Sequence, residues 1–292
     1  MTGAPTYVQD HIPHEGQRLG VHRYPSPGDG PAVLVLPAMG VPAGYYRRFA
    51  GDLTEQGLNV AVADLRGTGS SAPRAARAQR YGYAELVADV PVVLDHLTDH
   101  GFLGPDGDRP LMLLGHSLGG HIASLYLAST PETPVRGLML VACGIPWHAL
   151  YGWRSPMVHT MATTLRATAK VLGHWPGAGF AGRQTHGIIR DWAHTVHKGR
   201  FVSVDGGDPE LGLAGVRLPV QAITVDDDQF TPPVTSDHLL AKFTGTKVTT
   251  HHYTTGEAGA RLDHFMWARA GAALAARVAK FSAGLGGANE TA

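Results

Sequence analysis

Cysteine is almost absent. Cys143 stands alone among 292 residues, so no disulfide can close within the chain. Cysteine usage therefore gives no sign of an oxidising compartment. Excess charge is missing too. The 24 basic residues balance 24 acidic ones, which leaves no electrostatic footprint for nucleic acid or an anionic membrane surface. No apolar run approaches the roughly 20 residues of a membrane span. Met1 to Gly16 lacks the basic, apolar, small-residue progression of a signal peptide. The expectation is a soluble, cytoplasmic protein with no nucleic-acid partner, its oligomeric state left open. The 17 histidines do not imply a metal. The pairs His11/His14 and His251/His252 lack the cysteines or carboxylates that complete a zinc site, and no metal or cofactor is expected.

Apolar residues make up 43% of the chain, ample for a full core. Ala32–Leu36, Val60–Ala63, Leu111–Leu114 and Gly137–Ala142 are continuous apolar runs, which read as strands buried on both faces. Leu218–Val225 and Lys247–Tyr253 resume the pattern. Helical periodicity separates these runs, over about 45–56, 83–100, 234–243 and a closing helix from Phe265 to Phe281. Leu19–Tyr24, bracketed by turns, reads as an edge strand in a marginal hairpin. Gly284 to Ala292 reads as a disordered tail. Residues 145–213 differ. They carry four of the five tryptophans and no buried strand run. Removing them leaves an alternating α/β series, so they read as a cap inserted between strands.

One turn organises the rest. Leu111-Met112-Leu113-Leu114 leads into Gly115-His116-Ser117-Leu118-Gly119, and an apolar helical pattern follows. Strand, Gly-x-Ser-x-Gly and helix is the layout of a nucleophile elbow, where glycines let strand and helix close around a strained serine. A serine hydroxyl needs a base, and the base needs a group that fixes its tautomer. Asp228 follows the strand at 218–225 and His264 the strand at 247–253, in the chain order Ser, Asp, His. Each follows a strand's carboxyl end. Asp227 is the alternative acid. His116 reads as packing.

The chain resembles the α/β-hydrolase superfamily over nearly its full length. Gly115–Gly119 carries the resemblance, together with Asp64-Leu65-Arg66-Gly67-Thr68-Gly69-Ser70-Ser71, Asp228-Gln229-Phe230-Thr231-Pro232 and His264-Phe265. More narrowly it looks like a bacterial branch of poorly characterised predicted hydrolases. The implied fold is α/β: a mostly parallel sheet of about eight strands with helices on both faces. Residues 1–144 and 214–292 form its core, and a mainly helical cap follows strand six. Asp228 stands at the family's spacing before Pro232, which favours it over Asp227. The implied oxyanion donors are the backbone N–H groups of Met39 and Leu118. The Arg66 turn is expected to be structural. The implied activity is hydrolysis of a small-molecule ester or thioester through an acyl-enzyme on Ser117. An acyltransferase, a cyclising thioesterase or a non-hydrolytic pocket protein are the alternatives on this scaffold. Trp147, Trp153, Trp175 and Trp192 are candidates for the substrate pocket.

Overall fold

The computed structural model describes residues 6–104, 108–177 and 179–285. A hairpin opens it, β1 (Val8–His14) and β2 (Gln17–Tyr24). Then come β3 (Ala32–Leu36), a 3₁₀ turn (Ala43–Tyr46), α1 (Arg47–Glu55) and β4 (Asn59–Asp64). They lead into α2 (Tyr83–Asp99), β5 (Leu111–His116), α3 (Leu118–Ser129) and β6 (Val135–Val141). The next segment holds a 3₁₀ turn (His148–Arg154), α4 (Ser155–Leu172), a ribbon of β7 (His174–Trp175) and β8 (Gln184–Thr185), and α5 (His186–Lys198). The core resumes with α6 (Pro209–Gly215), β9 (Val220–Val225), α7 (Pro233–Leu240), β10 (Val248–Tyr253), α8 (Thr255–Ala258), a 3₁₀ turn (Met266–Arg269) and α9 (Ala272–Ala283). Among the described residues, no helix is long and apolar enough to cross a membrane.

Eight strands form one sheet in the order β1-β2-β4-β3-β5-β6-β9-β10. β2 pairs antiparallel with both β1 and β4, and the remaining pairs are parallel. β1, not Leu19–Tyr24, forms the edge: β2 pairs with β1 on one side and β4 on the other. The apolar runs divide their side chains by alternation. Leu34, Leu113, Leu138 and Leu140 join the core under α2 and α3. Val33, Val35, Met112, Leu114 and Met139 join the core under α1 and α9. Both faces are covered, so each run had to be apolar throughout. Register aligns the carboxyl ends. Leu36 pairs with Gly115, His116 with Val141, Val141 with Ile223, and Val225 with Tyr253. Every loop after β3, β5, β6, β9 and β10 therefore leaves from one edge, where ligands bind in open α/β sheets.

Between β6 and β9, α4 packs on α5. It does so through Val158, Ala162, Leu165 and Ala169, a buried stripe at helical spacing. The Arg66 turn is structural. Its buried guanidinium makes two hydrogen bonds to the Asp89 carboxylate, and a third to Gln17 Oε1 at 2.6 Å. The closing segment departs from expectation. No single helix runs from Phe265 to Phe281. The 3₁₀ turn ends at Arg269 and α9 begins at Ala272. Gly271, between them, lies so close to the Phe49 ring that a Cβ there would fall 2.4 Å from it. The break seats fully buried Trp267 edge-on to Phe49. The expected tail shortens as well. Gly284 closes α9, and Leu285 is buried in the core under α1 and α9. Residues 286–292 of the expected tail, and 105–107 of the expected loop before β5, lie outside the described residues.

Because Leu285 is buried, Leu285→Ala is expected to lower the unfolding free energy by about 2 kcal/mol. Urea denaturation checks this, and an unchanged midpoint would place Leu285 outside the core.

Candidate active site

The turn after β5 sets the geometry. Ser117 adopts φ +52° and ψ −116°, a region that costs a non-glycine residue of order 1–3 kcal/mol unless its surroundings enforce it. They do. Its N–H donates to Val141 O at 3.2 Å, and its carbonyl accepts from Gly120 and His121 N–H at 2.9 and 3.2 Å. A Cβ on Gly119 would fall 1.9 Å from Leu36 O, and one on Gly115 would fall 2.4 Å from Gly120 Cα. Only glycine lets α3 start this close to β3 and β5. Leu118 opens α3, so its N–H belongs to the first helical turn, which has no partner within the helix. Met39, in the turn after β3, borders the same cavity as Ser117 and Leu118.

His264 stands against the serine. Its Nδ1–H donates to Asp228 Oδ2 at 2.9 Å. That leaves Nε2 to accept from Ser117 Oγ at 3.0 Å. Asp228 is buried, and its Oδ1 accepts from Phe230 and Thr231 N–H, both at 2.9 Å. Thr231 Oγ1 donates to Oδ2. Burial alone would raise the Asp228 carboxyl pKa. The His264 hydrogen bond and charge, with the Thr231 donors, outweigh burial and hold it below the usual carboxylate range. Asp227 is exposed with φ +57°. Asp226 accepts from His252 Nε2 and from Thr255 N–H. Of the three consecutive carboxylates, Asp228 is the one joined to His264. His251 sits 3.0 Å from Glu257, away from the serine.

His116 does more than fill space. Ala38 N–H donates to Tyr46 Oη at 2.9 Å, so the Tyr46 hydroxyl donates onward to His116 Nδ1 at 2.7 Å. His116 Nε2–H then donates to the His264 carbonyl at 2.9 Å. This buried relay ties the turn after β3 to the main chain of His264 through the residue before Ser117. A second buried histidine, His121, lies one turn along α3. The Tyr83 hydroxyl meets its Nδ1 at 3.1 Å, and its Nε2 meets Gly144 O at 2.9 Å. Burial pushes His116 well below the ordinary histidine value and His121 down to about 4. Sequence spacing could not reveal the Tyr46 partner, 70 residues away.

A cavity of about 380 Å³ opens over Ser117. Its wall is apolar: Met39, Leu118, Val158, Met161, Phe180 and Trp192 contribute, with Phe230 and Phe265 beside His264. Among the described residues, Arg154 is the one charged side chain lining the cavity apart from histidine. Of the four tryptophans expected here, only Trp192 lines the cavity. Trp153 is 89% exposed. Trp147 lies against His238 and Gly199. The Trp175 indole N–H donates to the Phe180 carbonyl. Tryptophan content marked the segment, but which helix face meets the sheet decides the wall. The methionines at 157 and 161, one turn apart on α4, took that place. Among the described residues, no group of three or more His, Cys, Asp or Glu could hold a metal ion.

The two buried neutral histidines set a pH dependence of stability. A histidine whose folded pKa is depressed contributes fully above the unfolded value of 6.5 and loses that contribution as pH falls toward the folded value. Unfolding free energy is therefore expected to fall below pH 6.5. Each histidine removes up to about 1.4 kcal/mol per pH unit. Asp228, whose folded pKa is also depressed, has the same sign, but its contribution is lost only as pH falls below its unfolded value of 3.8. Urea melts at about pH 7.5, 6 and 5 check this, and equal stability at all three would contradict it.

Comparison with known proteins agrees with the geometry. The family model described as "Serine aminopeptidase, S33" matches residues 30–197. Over 134 residues the chain is 32% identical to "Putative carbamate hydrolase RutD" of Variovorax paradoxus (strain S110), a match covering 46% of this chain and 42% of that protein. The chain thus spans less than half of that relative's length. An esterase from Exiguobacterium antarcticum superposes with a TM-score of 0.61 at 18% identity, covering 94% of this chain and 100% of that one. The thioesterase domain from the curacin biosynthetic pathway superposes with a TM-score of 0.59 at 18% identity, covering 95% of this chain and 99% of that one. At these identities the structural likeness shows the fold. The matched family model, covering more than half of the chain, shows the family: this chain is an α/β-hydrolase of the serine hydrolase type and belongs to the serine aminopeptidase S33 family.

Proposed function

We propose that the chain hydrolyses an ester or thioester of a small molecule through an acyl-enzyme on Ser117. The observation that carries this reading is the continuous chain Ser117 Oγ, His264 Nε2, His264 Nδ1, Asp228 Oδ2, with links of 3.0 and 2.9 Å, at the floor of an apolar cavity. Ser117 Oγ attacks the carbonyl carbon as its proton passes to His264 Nε2. The carbonyl π pair moves onto oxygen. The N–H groups of Met39 and Leu118 receive that oxyanion. When the tetrahedral species collapses, the bond to the leaving oxygen or sulfur breaks, and His264 returns its proton to the departing atom. Water then attacks the acyl carbon, losing its proton to His264, and the reversed sequence frees the acid and Ser117. Asp228 stays ionised throughout, orients the ring and stabilises the imidazolium.

Esters and thioesters fit better than amides, because alkoxide and thiolate leave more easily than an amine. Residues 145–213 act as the cap in this reading. Tyr151 donates from its hydroxyl to the Phe230 carbonyl, and Phe180 lies 5.2 Å from Trp192 and 5.9 Å from Phe230 between ring centroids. These contacts join the inserted segment to the acid loop above the serine. They exclude water from the acyl group and strengthen the electrostatics below.

Ser117→Ala is expected to cut kcat on p-nitrophenyl octanoate by roughly 10⁴-fold or more, and Asp228→Asn by roughly 10⁴-fold, with KM little changed. Steady-state kinetics on folded variants check this. Retention of wild-type turnover by Ser117→Ala would overturn the proposal.

A further inference from the structure

The cavity over Ser117 does not end at a solid wall. Met157 and Met161, one turn apart on α4, line it from the cap side. The same two methionines line an apolar groove on the outer face of α4, with Pro156, Thr160, Thr164 and Leu165. The two spaces share that pair as a common partition. Positions 157, 160, 161 and 164 fall on one helical face. The stripe Val158, Ala162, Leu165 and Ala169, packed toward α5, lies beside it. Met157 is 57% exposed although it also borders the cavity.

Methionine is unbranched, with three rotatable bonds and no polar atom that demands a partner. A wall of two such side chains, one of them half in solvent, yields at little cost. Among the described residues, no charged side chain lines the outer groove, and only Arg154 does so in the cavity apart from histidine. A passage through the partition would therefore be apolar from the serine to the outer face. The inner cavity, about 380 Å³, bounds the length of chain it can hold at interior packing density. A longer chain has to leave it, and the methionine partition is where an apolar space continues.

We propose that the outer face of α4 is an acyl-chain extension site. The cavity binds the carbonyl-proximal carbons, and the distal methylenes of a long, unbranched acyl group pass between Met157 and Met161 to lie along Thr160, Thr164 and Leu165. The substrate class is a long-chain acyl ester or thioester. This class rests on the acyl-enzyme reading above, while the groove itself is a binding claim that stands apart from catalysis.

Two measurements separate the claims. The first is calorimetric binding of octanoate and myristate to Ser117→Ala, with and without Thr160→Trp. Thr160 is exposed and borders the groove, not the cavity over Ser117. Each methylene moved from water into the groove contributes about 0.8 kcal/mol, so Thr160→Trp is expected to weaken myristate by about tenfold or more and octanoate by less than about twofold. The second is kcat/KM for p-nitrophenyl octanoate and myristate in the same pair of chains with Ser117 restored, where the same ratio is expected to shift. An unchanged myristate-to-octanoate binding ratio in Thr160→Trp, or an unmodified chain that binds octanoate and not myristate, overturns the extension site. Myristate binding that responds to Thr160→Trp, without hydrolysis of either ester, supports the site and sinks the hydrolase reading instead.

Discussion

The backbone at Ser117 is held in a conformation its side chain disfavours, and most of the site follows from what holds it. A φ of +52° places the hydroxyl above the sheet edge. It persists because β6 takes the Ser117 N–H, because α3 takes its carbonyl, and because Gly119 leaves room for the Leu36 carbonyl. The same close approach sets α3's first N–H groups beside the turn after β3. One steric constraint thus brings Ser117 together with the first N–H groups of α3 and the turn after β3. Strain of about 1–3 kcal/mol is small against a core of this size but large for one residue. The surrounding strands, parallel, apolar on both faces and in close register, hold Ser117 in place.

A second constraint is electrostatic. Asp228, His116 and His121, beneath the serine, are buried, and each has hydrogen-bond partners within the protein. Asp228 keeps its charge because four donors converge on it. His116 and His121 stay neutral because burial disfavours their charge and each ring has a hydrogen-bond partner at both nitrogens. The Tyr46 hydroxyl settles the His116 tautomer, and that tautomer fixes the main chain of His264. His264 is thus held twice, by Asp228 at its ring and by His116 at its carbonyl.

How much of this was legible in the sequence depended on how local the signal was. The apolar runs revealed the strands because burial on both sheet faces leaves no polar position. The elbow and Asp228 stood out because each lies within a few residues of a strand's carboxyl end, and His264 because it follows the last strand in the chain order Ser, Asp, His. The break at Gly271 was hidden, because its cause is Phe49 on another helix. Leu285 was read as tail for the same reason: its partners lie on other elements. The tryptophans misled because composition says nothing of orientation. Trp153 faces solvent while Met161, unremarkable in sequence, lines the cavity. The His116 relay needed a tyrosine 70 positions away. Local spacing carries strand ends and motifs, but the surface that selects a substrate is built by docking one segment on another.

The central claim is that Ser117, activated by His264, forms a covalent bond to an electrophilic carbon or phosphorus. Reaction with a fluorophosphonate probe, followed by peptide mapping in a mass spectrometer, tests it most directly. The account predicts one adduct per chain, on Ser117, lost in His264→Ala although that variant stays folded. An unlabelled Ser117 in the folded wild-type chain, or labelling that survives the loss of His264 undiminished, would contradict it.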